Sequence, residues 1–422
     1  MKKLHILALG AVALLATACS DSFEFGTPTH DLNSGDALVE TVLWKNGDQL
    51  ACTGRTHNFR IPAIIRTQNR LIAFAEAREY TGSTNQDNGD IDLVYRISTD
   101  NGVTWGETKL LLNDYDNTCG NPCPIYTESG QLVVFCGWQR TGTKEETFKS
   151  DIFSFEESQR FVCHALCLIS NDEGDSWSAP TKWFHEQRNA DESQYKWTSF
   201  LKMGPGHAIQ IKTGANKGRL VVGCDHKYEK FAGQPVIKEA DETYYGSHIA
   251  YSDDEGQTWK MIELNEELHF GNECIPVELS NGDLYLDMRC TGQYNNRRAY
   301  SFSRDGGINW SRLAINEQRV DPGCQGSIIN YTTDGTPSQT ILGLSNNSTS
   351  RTNLSIRASL DDCKTWKSTV LEITSGKSGY SDLAVLTDGS LLLLYETGAS
   401  VYREKIVCCR VSQEQITKYL TL

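Results

Sequence analysis

The chain has 422 residues and a formal net charge of −14, so it is long enough for one large domain or two ordinary ones. Its acidity argues against nucleic acid as a partner, because nucleic-acid binders usually carry an excess of positive charge. The same acidity gives an anionic ligand no long-range attraction, so an anion site requires a local cluster of positive charge.

The chain begins with a secretion signal at residues 1–22, MKKLHILALGAVALLATACSDS. Two lysines precede an apolar run of secretory length, and this run is too short for a membrane span. The letters ATAC allow two kinds of processing, because ATA fits an ordinary cleavage site whereas small residues directly before Cys19 resemble a bacterial lipoprotein box. We favour a lipoprotein of the outer membrane or cell surface; ordinary cleavage would give a periplasmic or secreted protein.

The rest of the chain is divided accordingly. We expect a signal peptide at 1–18, a lipid-anchored tether at 19–40 and one folded domain at 41–422. No other segment has 18 consecutive apolar residues, so the lipid on Cys19 is the one expected membrane contact. The 14 cysteines lack the paired spacing of zinc sites, and we interpret them as small buried residues on strands.

An internal repeat, the Asp box, dominates the domain. Four segments share the pattern S-x-D-x-G-x-x-W, and a fifth has Cys363 in place of the glycine. Asp and Ser bond nearby backbone, Gly takes a positive φ, and Trp packs against the hairpin, so each box predicts a β-hairpin turn. The copies are STDNGVTW at 98–105, SNDEGDSW at 170–177, SDDEGQTW at 252–259, SRDGGINW at 303–310 and SLDDCKTW at 359–366.

The spacing of the boxes predicts the architecture. Successive boxes start 72, 82, 51 and 56 residues apart, and these intervals suit four-stranded units, the first two lengthened by insertions such as the charged stretch 140–160. Long helical patterns are absent from the sequence. We therefore predict an all-β, six-bladed β-propeller with Asp-box hairpins, in which one blade has lost its box.

An arginine lies inside the apolar run NFRIPAII at 58–65. Burying an unpaired guanidinium costs several kcal/mol, so Arg60 requires an anion that is either part of the fold or bound to it. Further short motifs follow in order: AEAR (75–78), the stretch 86–107, GNPCPIY (120–126), GPGH (204–207), NECIPVEL (272–279), LDMRC (286–290), GCQGS (323–327), SGYSDL (378–383) and LYE (394–396). Each motif alone is weak, but the ordered set resembles the sialidases, retaining glycoside hydrolases that remove terminal sialic acids.

The resemblance implies three arginines that clamp the substrate carboxylate. Arg60 of FRIP matches the first, Arg289 of LDMRC the second and Arg351 the third. Arg357, in the strand before the fifth box, is a rival for the third. A planar guanidinium can give a carboxylate two hydrogen bonds, which explains why this chemistry uses arginine. Arg78 is expected to add positive charge beside the pocket; alternatively, it pairs with a neighbouring glutamate.

The resemblance also implies Tyr380 as the nucleophile, Glu273 as its base and Glu396 as the acid that holds Arg60. Sialic acid carries its carboxylate on the anomeric carbon, so an anionic nucleophile would approach against like charge, whereas a neutral phenol avoids this repulsion. A free phenol has a pKa of about 10 and needs a base. We expect the arginine cluster to favour the phenolate as well.

Asp87 is the implied acid/base, in a polar loop before a strand. Asp90 and Asp92 are competitors, but alternation places both on one face of the strand, which favours framework roles. Three further residues lie in loop motifs that the family places around the substrate, and ordinary turn roles suit them equally: Asn121, His207 and Gln325.

Together these features predict an exo-α-sialidase acting on sialylated oligosaccharides, glycoproteins or glycolipids, without cofactor or metal. Two alternatives stay open: a non-catalytic sialoglycan-binding propeller that keeps the arginines, and a trans-sialidase that transfers to another sugar. The presence of Asp87, Glu273 and Tyr380 argues against a pure binder. The sequence has no Gly-rich phosphate loop, HExxH or G-x-S-x-G motif.

Overall fold

The computed structural model describes residues 27–28, 38–80, 87–143, 162–183, 195–230, 243–264, 270–294 and 296–422. The predicted signal peptide, Cys19 and nearly all of the predicted tether lie outside the described residues, as does most of the charged stretch 140–160. The described chain is all-β, as predicted, and its helix is confined to the 3-10 turn Gly292–Tyr294 and to α1 (Gln413–Thr421). Within these ranges no helix has the length and apolarity needed to cross a bilayer.

In the described residues before 184 there are eleven strands, many of them buried runs rich in β-branched and aromatic residues and bounded by turns. They are β1 (Thr27–Pro28), β2 (Val39–Lys45), β3 (Asp48–Gln49), β4 (Thr56–Arg66), β5 (Leu71–Glu79), β6 (Ile91–Ser98), β7 (Lys109–Leu112), β8 (Thr118–Tyr126), β9 (Leu132–Gln139), β10 (Cys163–Ser170) and β11 (Thr181–Trp183).

Fifteen strands follow in the described part of the chain after residue 184. They are β12 (Tyr195–Met203), β13 (Ile209–Gln210), β14 (Leu220–Lys230), β15 (Thr243–Ser252), β16 (Lys260–Glu263), β17 (Gly271–Glu278), β18 (Leu284–Cys290), β19 (Arg297–Ser303), β20 (Ala314–Val320), β21 (Ser327–Asn330), β22 (Ile341–Asn346), β23 (Thr352–Ser359), β24 (Thr369–Val385), β25 (Leu391–Gly398) and β26 (Lys405–Val411).

The strands form four sheets with mostly antiparallel neighbours. Strands β17 to β20 make a simple four-stranded meander, and β12 to β16 make a five-stranded sheet. The nine-stranded sheet runs from β3 to β11, and a single parallel pair between Ile91 and Thr118 joins its two halves. In the last, eight-stranded sheet, β2 pairs with β26, so the first long strand lies beside the last one.

The core consists of apolar layers between neighbouring sheets. In one of them Ile64 and Ala73 of the first hairpin pack against Leu392, Leu394 and Ile406 from the end of the chain, all at most 1% exposed. Twelve of the thirteen described cysteines are buried free thiols, in agreement with their interpretation as small core residues. This layer seats β4 against β24 and β25, the strands that carry the candidate site.

Each box forms a tight turn closed by its own side chains. In the first box the amide of Gly102 donates to the hydroxyl of Ser98 at 2.9 Å, and the Trp105 indole donates to the Gly102 carbonyl at 3.2 Å. In the fifth box the amide of Cys363 donates to Ser359 at 2.9 Å in the same way. Cys363 has a φ of 62°, so it adopts the conformation that favours glycine and the turn is preserved.

Candidate active site

Four of the candidate residues lie at breaks in strand pairing. The register shifts at Arg60–Ala63 in β4, Gly120–Cys123 in β8, Gly271–Cys274 in β17 and Ser378–Ser381 in β24. Bulges of this kind re-aim side chains and are common beside active sites. They explain how Arg60, Glu273 and Tyr380 can meet although each belongs to an otherwise regular strand.

The partner of Arg60 belongs to the fold. Its Nε donates to Glu396 Oε1 at 2.9 Å and its Nη2 donates to Glu396 Oε2 at 3.1 Å, in a bidentate pair. The Glu396 side chain is fully buried and also accepts from the amides of Ile61 at 3.0 Å and Tyr380 at 3.2 Å. Glu396 therefore fixes both the first arginine and the backbone of the candidate nucleophile.

The Tyr380 hydroxyl donates to Glu273 Oε1 at 2.6 Å. Arg289 Nη1 lies between them, donating to the Tyr380 oxygen at 3.0 Å and to Glu273 Oε2 at 2.7 Å. Burial raises the pKa of Tyr380 well above its usual value, and Glu273 raises it further. Arg289, Arg60 and Arg351 lower this pKa, so the expectation that the arginines favour the phenolate is confirmed in direction, but burial and Glu273 outweigh them.

Two arginines keep donors available for a ligand. Buried Arg289 Nε has no hydrogen-bond partner among the described residues. Arg351 lies over the ring of Tyr402, with its Cζ 4.6 Å from the centroid, and 5.6 Å from that of Tyr380. In the described part of the chain no carboxylate lies within ion-pair distance of Arg351, so the cluster carries unmatched positive charge at this point.

Asp87 borders the cluster on an exposed loop. Its Oδ1 lies 2.8 Å from Arg78 Nη1 and 3.6 Å from Arg60 Nη1. Desolvation alone would raise the pKa of Asp87, but Arg78 and Arg60 bring it below the usual value, so the unliganded Asp87 is ionised at neutral pH. Glu76 Oε2 accepts from Arg78 Nε at 2.9 Å and Nη2 at 2.6 Å, which fixes the arginine that holds Asp87.

The rival residues have other partners. Asp90 and Asp92 both bind Arg55, with Arg55 Nη2 2.8 Å from Asp92. Arg357 donates to the Lys367 carbonyl at 3.0 Å and to Asn347 Oδ1 at 3.1 Å. These contacts correspond to framework roles.

The three residues expected in loops bridge backbone segments. Gln325 donates to the carbonyl of Ser381 at 3.1 Å and accepts from its amide at 2.9 Å, beside Tyr380. His207 Nδ1 lies 2.7 Å from Asp382 Oδ1. Asn121 lies in β8 and not in a loop as expected, and its backbone amide donates to Glu76 Oε1 at 2.9 Å. Sequence reasoning quoted the motifs that contain Asp382 and Glu76 but did not predict that Asp382 binds His207 or that Glu76 binds both Arg78 and the Asn121 amide.

A buried arginine–aspartate cluster lies behind the site. Arg298 and Arg319 both donate to Asp287 at 2.6 Å, and Arg298 also lies 3.4 Å from Asp321. These four side chains are at most 1% exposed. The amide of Cys324 donates to Asp321 at 2.8 Å, and Cys324 packs against Tyr380, so the cluster supports the floor of the site. Sequence reasoning missed Arg298, Arg319 and Asp321 because no motif joins them.

Comparisons with known proteins show what this chain is similar to. The family model "BNR repeat-like domain" matches residues 69–393. An exo-alpha-sialidase of Aspergillus fumigatus is 28% identical over 376 residues, 84% of this chain and 80% of its own length. Human sialidase-3 is 32% identical over 287 residues, 65% of this chain and 61% of its own. A sialidase of Micromonospora viridifaciens is 29% identical over 369 residues, and the match covers 83% of this chain but only 52% of that protein.

Solved structures support the fold. The leech intramolecular trans-sialidase superimposes with a TM-score of 0.66 at 21% identity, covering 89% of this chain and 72% of its own. Trypanosoma rangeli sialidase has a TM-score of 0.68 at 21% identity and covers 91% of this chain and 61% of its own.

Proposed function

Because the chain belongs to the sialidase family, we propose that it is an exo-α-sialidase that releases terminal α-linked sialic acids from glycoconjugates with retention, through Tyr380. The observation that carries this proposal is the hydrogen-bonded set of Tyr380, Glu273 and Arg289 beside Arg351, which has no carboxylate partner among the described residues. A pocket that only bound sialoglycans would gain nothing from a phenol hydrogen-bonded to a carboxylate.

We further propose that the four sheets are six four-stranded blades around one axis, turned by the Asp-box hairpins. The pairing of β2 with β26 supports this arrangement, because the first strand would then complete the last blade. The long β24 supports it as well, since β23 pairs with its first half and β25 with its second.

The substrate carboxylate docks on Arg60, Arg289 and Arg351 in this proposal. Arg60 is held in place by Glu396, so its orientation is set before substrate arrives. Arg351 has no carboxylate partner among the described residues, and an incoming carboxylate would supply one. Such charge-assisted, bidentate contacts are strong where water is excluded.

The proposed reaction uses Asp87 as acid and base and Tyr380 as nucleophile. Asp87 donates a proton to the glycosidic oxygen while the Tyr380 oxygen attacks the anomeric carbon and Glu273 accepts the phenolic proton. The C–O bond to the leaving group breaks, giving a glycosyl-tyrosine. Asp87 then takes a proton from water, which displaces Tyr380 and restores the original configuration.

The ionised state of unliganded Asp87 requires a switch before it can act as an acid. The bound substrate would bring a second negative charge next to Asp87 and compete for Arg60. Both effects raise the pKa of Asp87, because like charge nearby disfavours the ionised form and the ion pair is weakened. Substrate binding therefore prepares its own general acid.

The N-terminal segment supports export. We propose that Cys19 carries lipid and anchors the domain to the outer membrane or cell surface. Labelling of the protein with a radioactive fatty acid in a bacterial host, and its loss in Cys19→Ser, would support this; equal labelling of both proteins, or none of either, would contradict it.

The activity is tested with a fluorogenic α-sialoside and the chain from residue 20 onward. We expect release of the fluorophore and, by proton NMR of the first product formed, free sialic acid with the α configuration. Initial release of the β anomer would contradict retention. Appearance of sialyl-lactose when lactose is added, in place of free sialic acid, would instead assign a trans-sialidase.

A further inference from the structure

A second cavity lies along the same strands, away from the candidate site. Its volume is about 580 Å³, within the range that holds small organic ligands. Arg60 lies at the candidate site, whereas Ile64 and Arg66, later in the same β4, line this cavity. Arg60 lies near the middle of β4 and Arg66 at its end, and six residues of strand span about 20 Å, so the two sites are separated along β4. Residues of β8, β17, β21 and β24 complete a mostly apolar wall.

Arg66 is the unusual residue of this cavity. Its side chain is partly buried, and desolvation lowers its pKa. Among the residues that the structure describes, no carboxylate or other acceptor lies within bonding distance of its guanidinium. Arg60, by contrast, has Glu396 as a bidentate partner. The donors of Arg66 are therefore open to an anion that enters the cavity, such as a carboxylate.

The carboxylates of the cavity do not fill this role because each has other donors. Glu278 accepts from the amide of Lys212 at 2.6 Å and from the amide and hydroxyl of Thr213 at 2.9 and 2.5 Å. Glu128 lies 3.2 Å from Lys217. The remaining carboxylate satisfies its own turn, since Asp334 accepts from the Thr336 amide at 2.9 Å and the Thr332 hydroxyl at 2.8 Å.

We propose that this cavity binds a small organic monocarboxylate, whose carboxylate pairs with Arg66 and whose hydrocarbon part lies against Ile64, Ile125 and Leu383. The planar guanidinium matches a carboxylate in two hydrogen bonds. The apolar wall favours a hydrocarbon tail, and the rim carboxylates Glu128 and Asp334 disfavour a dianion such as phosphate. Binding here leaves sialoside turnover unchanged, because none of Asp87, Glu273 and Tyr380 lines the cavity.

The test measures binding of hexanoate and its neutral amide, hexanamide, to the purified full chain by isothermal titration calorimetry. Arg66→Gln is compared with Arg96→Gln, because Arg96 is also a partly buried arginine with a pKa lowered by desolvation but does not line the cavity. Arg351→Gln reports any hexanoate that binds to the candidate active site instead. Arg66→Lys keeps the charge and removes the planar fork.

We expect wild type and the Arg96 and Arg351 variants to bind hexanoate alike, and Arg66→Gln to bind it at least tenfold more weakly. Hexanamide should bind wild type at least tenfold more weakly than hexanoate, and Arg66→Lys should be intermediate. Without ligand, Arg66→Gln should melt no lower than wild type, because Arg66 has no hydrogen-bond or ion-pair partner to lose among the described residues. No hexanoate binding to wild type, equal binding of acid and amide, or a loss in Arg351→Gln but not in Arg66→Gln would overturn the proposal.

Discussion

Two groups of arginines lie close together in this molecule and differ in how their charge is matched. Behind the site, Arg298 and Arg319 share Asp287, and their side chains are at most 1% exposed. In the site, Arg351 has no carboxylate within ion-pair distance among the described residues, and the side chain of Arg289 is 24% exposed. The same residue type thus supports the fold where it is enclosed with acids and, in our proposal, binds the substrate where it is not.

The difference follows from electrostatics. A buried guanidinium that is paired with a carboxylate already has its counter-charge. A guanidinium without a carboxylate partner gains one only when an anion binds. Changes in the enclosed group should therefore affect stability, and changes in the open group should affect substrate binding.

The largest effect is expected when Asp287 is changed to Asn. This leaves Arg298 and Arg319 buried beside a neutral group, and breaking a buried ion pair costs about 3–5 kcal/mol of unfolding free energy. Urea unfolding followed by tryptophan fluorescence measures the loss. Asp361→Asn, in an exposed part of the fifth box, is the control and should lose far less; equal losses would mean that the enclosed cluster has no special weight.

Arg351→Gln should lower kcat/KM for the sialoside by about 10- to 100-fold, chiefly through KM, because it removes charged hydrogen bonds to the substrate carboxylate. The melting temperature should stay close to that of wild type. Arg357→Gln is the matched control, since Arg357 donates to the Lys367 carbonyl and to Asn347 in the framework, and its loss should reduce stability rather than raise KM. The reverse pattern would exchange the roles of the two arginines.

Glu76→Gln should have a smaller effect, a fall in kcat of about 3- to 10-fold. Glu76 holds Arg78, which in turn holds Asp87, so the change loosens the acid/base without removing it. Glu79→Gln on the exposed end of the same strand should leave kcat unchanged. An unchanged kcat in Glu76→Gln would show that Arg78 is positioned by other contacts.

The smallest expected effect is a shift in pH profile. Arg78 and Arg60 lower the pKa of unliganded Asp87, so kcat/KM should fall with rising pH earlier than kcat, in whose complex the substrate raises that pKa. Arg78→Gln should move the alkaline limb of the kcat/KM profile to higher pH and leave the alkaline limb of the kcat profile nearly unchanged. The lowered pKa of Asp87 also affects the free energy of unfolding. Its contribution to stability is fully present above the unfolded pKa of about 3.9 and is lost as the pH falls through the lower pKa of the folded state. Alkaline limbs at the same pH for kcat and kcat/KM would contradict the proposal that substrate binding raises the pKa of Asp87.

The fold class and the family could be predicted from the sequence, because the boxes and motifs are local patterns that can be recognised along the chain. The pairing of Arg60 with Glu396 joins residues 336 positions apart and could be expected only through the resemblance. The strand bulges that turn Arg60, Glu273 and Tyr380 inward depend on tertiary contacts and leave no mark in the alternation of residues.

Which arginine has a carboxylate partner in the fold could not be predicted from the residues themselves. Arg60 and Arg66 lie in one strand and look alike in sequence, yet one has a buried partner and the other has none among the described residues. The protonation of Tyr380 shows the same point: the nearby arginines favour the phenolate, as expected from the sequence, but desolvation and Glu273 outweigh them in the enclosed site.

The central claim is that Tyr380 forms the bond to the sugar. A 2,3-difluorinated sialic acid tests it directly, because the fluorine at C3 slows both steps while the fluoride at the anomeric carbon leaves readily. Mass spectrometry of the digested protein should then find the added glycosyl mass on the peptide containing Tyr380, and no labelled peptide in Tyr380→Phe. A label on the peptide containing Glu273 instead, or hydrolysis of the reagent with no labelled peptide, would contradict the account.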